Sequence, residues 1–591
     1  MPLEPTLARM RARRRPADGR VLALTGAAIA TGLAAALAAQ ALTRLIALVT
    51  NLAFYARWST LSVGPSGHHL GVAVVLVPAA GGIVVGLLAR FGSPAIRGHG
   101  IPEAMEQVLF NESRIAPRMT VLKPLSAAIA IGTGGPFGAE GPIIATGGAL
   151  GSLVGQLLPT TADERKTLLA AGAAAGMAAT FGSPVAAVIL AIELLLFELR
   201  PRSVVPVALA AAAAAALRTA LGGESPVFAV PALIPTSPGA LAVHAAVGAL
   251  LGVAAVGITR AVYAVEDTFA RLPLPWMCWP ALGGLAVGAI GLVAPHTLGV
   301  GYDNIERLAA GEIVGQAAAT LVLAKTLSWM LALGSGTSGG TLAPLLTIGA
   351  GAGALLARAA ADLLPGVGID PHTAALVGMA ALFAGASRAL LTTIIFVLET
   401  TGRVEALLPV LAGTAAAHLV SCLLARDSIM TAKLTRRGAR VPSELGVDPW
   451  ERLRVRDVAT RPAVTLAAEE RIGAVRDRLT AAAGSHQGFP VVDARGLLLG
   501  VVTRRELLDA AHRPDDPIRA LVHRTPVVAY ANESLRQAAD AMVVAGVGRL
   551  PVVERHAPRH VVGIITRSDL LAAQRRRVEE AHRVARPTFA G

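Results

Sequence analysis

The chain has 591 residues, of which 54% are hydrophobic, 16% charged and 4% aromatic, and its mean hydropathy is +0.59. Soluble domains carry about 25% charged residues, and one water-soluble core stops growing near ~250–300 residues. The composition therefore excludes an ordinary soluble enzyme. The net charge of +14 is concentrated towards the two ends of the chain, which argues against nucleic-acid binding.

The N-terminus is a basic tail over residues 1–20. Its arginines are Arg9, Arg11, Arg13, Arg14, Arg15 and Arg20. The apolar stretch that follows, Val21–Leu48, is too long for a secretory signal peptide. Basic flanks mark the cytoplasmic side of a membrane protein, and basic residues return after Arg426. Both termini are therefore expected in the cytoplasm.

Residues 21–437 are predicted to form an all-α polytopic membrane domain. Val21–Leu48 and Leu70–Leu88 are long enough to span a bilayer, whereas shorter apolar segments are interrupted by glycine and proline at Gly132–Pro142, Phe181–Pro184 and Gly334–Pro344. Interrupted segments in both halves of a chain point to inverted repeats with a midplane site. The charges at both ends of Arg426–Arg437 predict a helix leaving the membrane.

Three motifs place glycines and a proline where a helix would begin: GHGIPE (98–103), GAEGP (138–142) and GGTLAP (339–344). Helix N-termini expose free amides and a partial positive charge, so convergent ones predict an anion site. A carboxylate such as Glu140 is costly inside a membrane. It can occupy the anion's own position and act as a gate; the simpler alternative is a helix cap.

After a predicted linker (438–451), the chain contains an internal repeat, with copies over residues 452–514 and 515–575 and a tail over 576–591. Each copy alternates β-branched runs with helical patterns, which predicts small α/β units. The pair resembles tandem CBS domains, a module that commonly binds adenine nucleotides. That resemblance implies nucleotide binding in the second copy, with Asp569 accepting from the ribose hydroxyls and Thr566 reaching the phosphate. It implies the same less clearly for Glu506 and Thr503 in the first copy, and bracing a dimer is the alternative.

The chain as a whole resembles the CLC family of chloride channels and proton-coupled anion exchangers. Family motifs of the form GSGIP, GREGP and GGxFAP match the three motifs, and PVAAVILAIE (184–193) and the CBS pair add to the match. The resemblance implies a homodimer with one pore per chain in a bacterial inner or plasma membrane. It makes Glu140 the external gate. Bound anions would face backbone amides of Ala139, Glu140, Gly141, Thr341 and Leu342.

Four positions depart from the family pattern. His99 replaces a serine that donates to the central anion, and its imidazole can still donate and can also titrate near neutral pH. Met430 replaces the tyrosine of the last membrane helix and supplies no hydroxyl. Leu194 stands where exchangers carry an internal glutamate. Ala139 replaces a basic residue beside Glu140, which lowers the positive potential that captures anions.

Leu194 decides the predicted function, because leucine cannot relay a proton. A passive channel of the voltage-gated type for chloride or similar anions is therefore favoured, and a proton-coupled chloride or fluoride antiporter is the alternative. Glu193 and Glu399 are interpreted as structural partners of buried backbone amides. No required cofactor is expected, although ATP or AMP could bind the CBS pair.

Other classes of CBS-containing membrane protein fit less well. No histidine is followed by glutamate, which excludes the HExxH motif of an intramembrane zinc protease. Divalent-cation transport would need several intramembrane carboxylates, and few are present. The distant cysteines Cys278 and Cys422 give no disulfide or metal pattern. The chain is thus expected to be neither an enzyme nor a metal protein, with anions, lipid and a second copy as its partners.

Overall fold

The structure, a computed structural model, describes residues 19–223, 226–439, 441–442, 449–481 and 486–582. The chain divides between Val441 and Pro442 into two compact units, a membrane region and a C-terminal α/β region. The arginine cluster at residues 9–15, much of the predicted linker (440 and 443–448) and residues 583–591 of the predicted tail lie outside the described residues.

The first unit is helical, and eight of its helical segments are, within the described residues, long and apolar enough to cross a membrane. The first half contains α1 (Gly19–Tyr55), α2 (Leu76–Leu87), α3 (Ile101–Phe110), α4 (Met119–Gly132), α5 (Glu140–Leu157), α6 (Ala162–Phe181), α7 (Pro184–Leu190) and α8 (Pro201–Ala220). The prediction of a polytopic all-α domain is confirmed.

The second half repeats this order of elements. It contains α9 (Pro238–Ala270), α10 (Trp279–Val293), α11 (Tyr302–Ala309), α12 (Gly315–Gly334), α13 (Leu342–Leu363), α14 (Pro371–Ser387), α15 (Leu390–Thr401) and α16 (Leu407–Leu424). The equivalent glycines Gly138 and Gly340 pair with each other in an antiparallel bridge, as segments related by a two-fold axis do. The predicted inverted repeats are thus confirmed.

Two buried lysines occupy equivalent places in the two halves. Lys123 on α4 and Lys325 on α12 each donate two hydrogen bonds of 2.7–3.0 Å to backbone carbonyls of the loop that precedes α3 or α11. A buried ammonium is costly without such acceptors. Each lysine therefore fixes a loop that would otherwise leave carbonyl groups unsatisfied inside the protein.

Two glutamates join the halves reciprocally. Glu193, just after α7, accepts from the backbone amides of Leu391 and Thr392 at the start of α15, at 3.0 and 3.1 Å. Glu399 on α15 accepts from Val185 and Ala186 at the start of α7, at 3.1 and 2.8 Å. The structural interpretation of both residues is confirmed, because each carboxylate satisfies amides that have no acceptor within their own helix.

The predicted helix over Arg426–Arg437 is wrong for most of its length, because the helical part is α17 (Ala432–Arg436) alone. Ahead of it, the Ser428 hydroxyl accepts from the amides of Met430 and Thr431, at 3.2 and 3.3 Å. A serine that bonds to nearby backbone in this way stabilises a turn in place of a helix.

The second unit contains two copies of a small α/β fold, as predicted. Its strands are β1 (Leu466–Ala467), β2 (Gly488–Val492), β3 (Leu498–Thr503), β4 (Ala529–Tyr530), β5 (Arg549–Glu554) and β6 (Ala557–Thr566). Its helices are α18 (Pro449–Arg452), α19 (Val455–Val458), α20 (Ile472–Ala481), α21 (Arg504–Leu508), α22 (Leu535–Val544) and α23 (Arg567–His582). The sheets have the order β1-β2-β3 and β4-β5-β6, and each packs on its own apolar cluster.

Candidate anion site

The three glycine-rich motifs meet through their backbones. Gly98 forms a bridge with Ser338, and Gly138 forms one with Gly340. At Gly340 a Cβ atom would lie 3.0 Å from the backbone nitrogen of Gly141 and 3.1 Å from Oε2 of Glu140. Glycine is therefore required there, because any side chain would push apart the two backbones that form the site.

The predicted backbone donors lie together at this meeting point. Helix α5 begins at Glu140 after Ala139, and α13 begins at Leu342 after Thr341. Gly141 packs directly against the carbonyl of His99, with no room for a Cβ. The first amides of a helix have no acceptor within it and carry part of the positive end of the helix dipole, so this geometry suits a dehydrated anion.

Glu140 is fully buried at this point, with no exposed surface. Its Oε1 accepts a hydrogen bond of 2.8 Å from the Tyr302 hydroxyl, and its Oε2 has no hydrogen-bond partner. Glu140 also lies in the first turn of α5, where the helix dipole stabilises a carboxylate. Part of the alternative interpretation, in which Glu140 stabilises the start of the helix, therefore holds as well. An unpartnered buried carboxylate oxygen is costly, which favours a functional role.

The sequence did not single out Tyr302, the hydrogen-bond partner of Glu140. The residue begins α11 directly after Gly301, whose φ is +75°, in the loop equivalent to GHGI of the first half. Its ring contacts Phe181 edge-on, with centroids 5.7 Å apart, and also Phe228 at 6.1 Å. Aligning the two halves at these glycines would have drawn attention to it.

Two cavities approach the motifs. The Tyr302 cavity, of about 510 Å³, is lined by residues that include Ala139, Phe181 and Tyr302. The Arg97 cavity, of about 410 Å³, is lined by residues that include Arg97 and His99. Because Ala139 lines the first cavity and His99, packed against Gly141, lines the second, Glu140 lies between the two.

His99 and Met430, the two departures whose side chains are predicted to meet the anion, are both buried. His99 is 6% exposed, and its Nδ1 atom has no hydrogen-bond partner. Met430 is completely buried, while its neighbour Ile429 lines the Arg97 cavity. His99 is therefore placed where an anion could meet its ring, and contact between an anion and Met430 stays a prediction.

The predicted nucleotide residues occupy equivalent positions in the two copies of the second unit. The carboxylate of Asp569 accepts from the amide and hydroxyl of Thr566, both at 2.8 Å. The carboxylate of Glu506 accepts from the same groups of Thr503, both at 2.7 Å. Each acid thus uses one oxygen as a helix cap, and both are half-buried.

Arg549 links these two copies. It lies opposite Thr566 in the sheet, as Gly488 lies opposite Thr503. A Cβ at Gly488 would collide with the Arg549 guanidinium. Burial lowers the pKa of Arg549, and the charge of the Glu506 carboxylate raises it. Arg549 therefore lies beside Thr566 of its own copy and near Glu506 of the other, and the sequence did not single it out. These three residues, with Asp569 and Thr503, are called the Arg549 cluster.

Comparisons with known proteins agree with this architecture. The family model "voltage gated chloride channel" matches residues 80–422, and the CBS domain model matches residues 455–513 and 518–576. The H(+)/Cl(−) exchange transporter ClcA of Vibrio vulnificus is 32% identical over 58% of this chain and 76% of its own length. A ClcB-like chloride channel protein of Ralstonia nicotianae is 27% identical over 61% of this chain and 85% of its own length.

Solved structures show the same fold. The crystal structure of a slow cyanobacterial Cl−/H+ antiporter superimposes with a TM-score of 0.62 at 24% identity, over 71% of this chain and 98% of that chain. The family model covers more than half of the 591 residues. Together with the buried motifs and the repeated helices, these matches establish that the chain is an integral, multi-pass membrane protein of the voltage-gated chloride channel (CLC) family with a CBS pair.

Proposed function

We propose that the chain is a proton-coupled chloride antiporter in which Glu140 occupies the anion pathway and leaves it when protonated. The observation that carries the proposal is the buried Glu140 carboxylate between two cavities, with one oxygen held by Tyr302 and the other without a partner. A group in this place both blocks an anion and can carry a proton. One residue thereby links the two ions.

The helix N-termini explain how chloride and carboxylate exchange places. Both are anions that the amides at the starts of α5 and α13 stabilise, so either can occupy the same site. Protonation removes the charge of Glu140 and with it the attraction to those amides. Chloride then takes its place, and the protonated side chain carries its proton towards one cavity.

The names of related proteins support coupling over passive conduction. ClcA of Vibrio vulnificus is named an H(+)/Cl(−) exchange transporter, and the cyanobacterial structure is that of an antiporter. The passive channel that the sequence analysis favoured rests on Leu194, which is buried and cannot relay a proton. In the proposed antiporter the proton reaches Glu140 by a route that does not use position 194.

Three further features belong to this proposal. The protein would be a homodimer, with one anion pathway in each chain. Its N- and C-termini would lie in the cytoplasm, so that the Arg97 cavity, which α17 borders through Lys433, would face the cytoplasm. The membrane would be a bacterial inner or plasma membrane.

Replacing the gate tests the proposal. The variant Glu140→Gln cannot gain or lose a proton, so we expect chloride flux in liposomes to persist without pH dependence, and chloride-driven proton uptake to disappear. Glu193→Gln is the matched control, because the Glu193 carboxylate caps α15. This variant should keep both the pH dependence of chloride flux and chloride-driven proton uptake. Chloride-driven proton uptake by Glu140→Gln at the wild-type rate would contradict the assignment.

Tyr302 should set how often the gate opens. Tyr302→Phe removes the donor to Glu140 and keeps the ring contacts, so chloride flux should rise about tenfold or more, because a hydrogen bond to a charged group contributes about 1.5–3 kcal/mol. Proton coupling should survive, because Glu140 is intact. Tyr530→Phe is the control, since Tyr530 lies on β4 of the second unit, with the Arg555 guanidinium over its ring. Equal effects of both variants, or none, would reject the role of Tyr302.

We also propose that the CBS pair binds an adenine nucleotide, ATP or AMP, at the Arg549 cluster. The residues fit such a ligand, because Asp569 keeps one carboxylate oxygen that could accept from ribose hydroxyls. Arg549, which makes no ion pair among the described residues, could meet a phosphate. Bracing of a dimer is the competing role, and the capping hydrogen bonds of Thr566 and Thr503 suit it equally.

Calorimetric titration of the purified full chain distinguishes these roles. Asp569→Asn keeps a capping oxygen but loses the charge, and should weaken ATP or AMP binding about tenfold. Glu506→Gln should have a smaller effect. Asp540→Asn, on the exposed surface of α22 and paired with Arg536, is the control. The absence of heat from either nucleotide with the wild-type protein would leave bracing as the role of the pair.

A further inference from the structure

The charged residues of the Arg97 cavity are mostly paired. Lys433 and Glu103 form an ion pair of 2.6 Å, and Glu103 also accepts from the amide of Gly100 at 2.8 Å. Arg437 and Glu106 form a second pair of 3.2 Å. Arg97 and Glu266 line the same cavity, and within the described part of the chain neither takes part in an ion pair. Arg97 is thus the cation of this cavity that is left for a ligand.

The Arg97 guanidinium is held by two aromatic faces, and the Glu266 carboxylate lies close enough for its charge to act on it. It lies 4.9 Å from the ring centroid of Trp276 and 5.5 Å from that of Trp279. A Cβ at Gly336, where φ is +79°, would come within 2.9 Å of its Nε atom, so that glycine leaves the space that the guanidinium fills. Stacking covers the faces of a guanidinium and leaves the N–H groups at its edge available.

Two unpartnered nitrogens adjoin this cavity. The Nε atom of Arg97 is buried without a hydrogen-bond partner, and so is Nδ1 of His99, whose residue is 6% exposed. Both side chains come from one short loop, which the bridge between Gly98 and Ser338 fixes against the second half. Unsatisfied buried nitrogens are rare and indicate an unseen partner. The Nε–H group of Arg97 can only donate, so in a cavity of about 410 Å³ its partner should be an acceptor, and beside a cation that acceptor should be an anion.

We propose that Arg97 is a side-chain binding site for a small monovalent anion such as chloride, at which the anion waits before it reaches His99 and the helix N-termini. A guanidinium is more weakly hydrated than an ammonium, so an anion can approach it after partial dehydration. Glu266 in the same cavity limits how tightly the anion is held, which permits release. This proposal rests on anion transport as proposed above, but not on proton coupling.

Neutralising Arg97 tests direct binding. In liposomes containing the full chain, Arg97→Gln should raise the chloride concentration for half-maximal flux about tenfold, the effect of losing one charge-assisted hydrogen bond, and leave the maximal rate within about twofold. Arg97→Lys keeps the charge but loses the planar guanidinium that stacks on the tryptophan rings. It should give an intermediate rise in the chloride concentration for half-maximal flux. The double variant Arg437→Gln with Glu106→Gln removes a pair from the same cavity and should leave half-saturation unchanged.

A second double variant separates binding from long-range attraction. Arg97→Gln with Glu266→Gln restores the net charge of the cavity, so half-saturation should stay raised if Arg97 contacts the anion. The proposal would be overturned by a half-saturating chloride concentration that is unchanged in Arg97→Gln, or one that returns fully to the wild-type value in this double variant. If Arg97→Gln does not fold, as judged by gel filtration and thermal unfolding, Arg97→Lys decides the matter.

Calorimetric titration of purified protein with chloride keeps this test independent of the proposed function. Wild-type protein that carries chloride without protons would refute the antiporter and leave the Arg97 proposal standing. Wild-type protein that carries no anion would refute anion transport. The titration would then decide on Arg97. Weaker chloride binding by Arg97→Gln than by the wild-type protein would support the Arg97 proposal, and equal binding would overturn it.

Discussion

A membrane protein can hold a dehydrated anion only where other dipoles replace water, and the proposed function assigns that role here to the backbone amides at the starts of α5 and α13. The repeated order of helices and the bridge between equivalent glycines bring these two helix ends together. The pairing of Gly138 with Gly340 sets their separation, and it leaves no room for a side chain. Glu140 lies at that point, and in the proposed function its carboxylate substitutes there for the anion that it excludes.

The two-fold relation between the halves explains why so few side chains are needed. Lys123 and Lys325 satisfy the loops ahead of α3 and α11, and Glu193 and Glu399 satisfy the starts of each other's helices. The same loop that presents His99 in one half presents Tyr302 in the other. These residues differ between the two halves. The Arg97 cavity is therefore lined by a histidine and an arginine, and the Tyr302 cavity by the tyrosine that donates to Glu140.

Motifs and composition predicted the helix starts, the repeats and the CBS pair, because glycine, proline and apolar periodicity act locally. Arg97 could not be found in this way, since its contacts join segments far apart in the chain, and Tyr302 would have needed an alignment of the two halves. The turn around Ser428 was also missed: charges at the ends of a segment do not reveal that a serine hydroxyl competes with helical hydrogen bonds. The prediction of a passive channel from Leu194 has a similar weakness, because the absence of one glutamate side chain does not exclude another route for the proton.

The reversal potential of the wild-type protein tests the central claim most directly. Purified protein in a planar bilayer would be given a fixed chloride gradient, and a pH gradient would then be added. For an antiporter gated by Glu140, the reversal potential moves away from the chloride equilibrium value as the pH gradient grows. A reversal potential that stays at the chloride value at every pH gradient would contradict coupling and make the protein a passive channel.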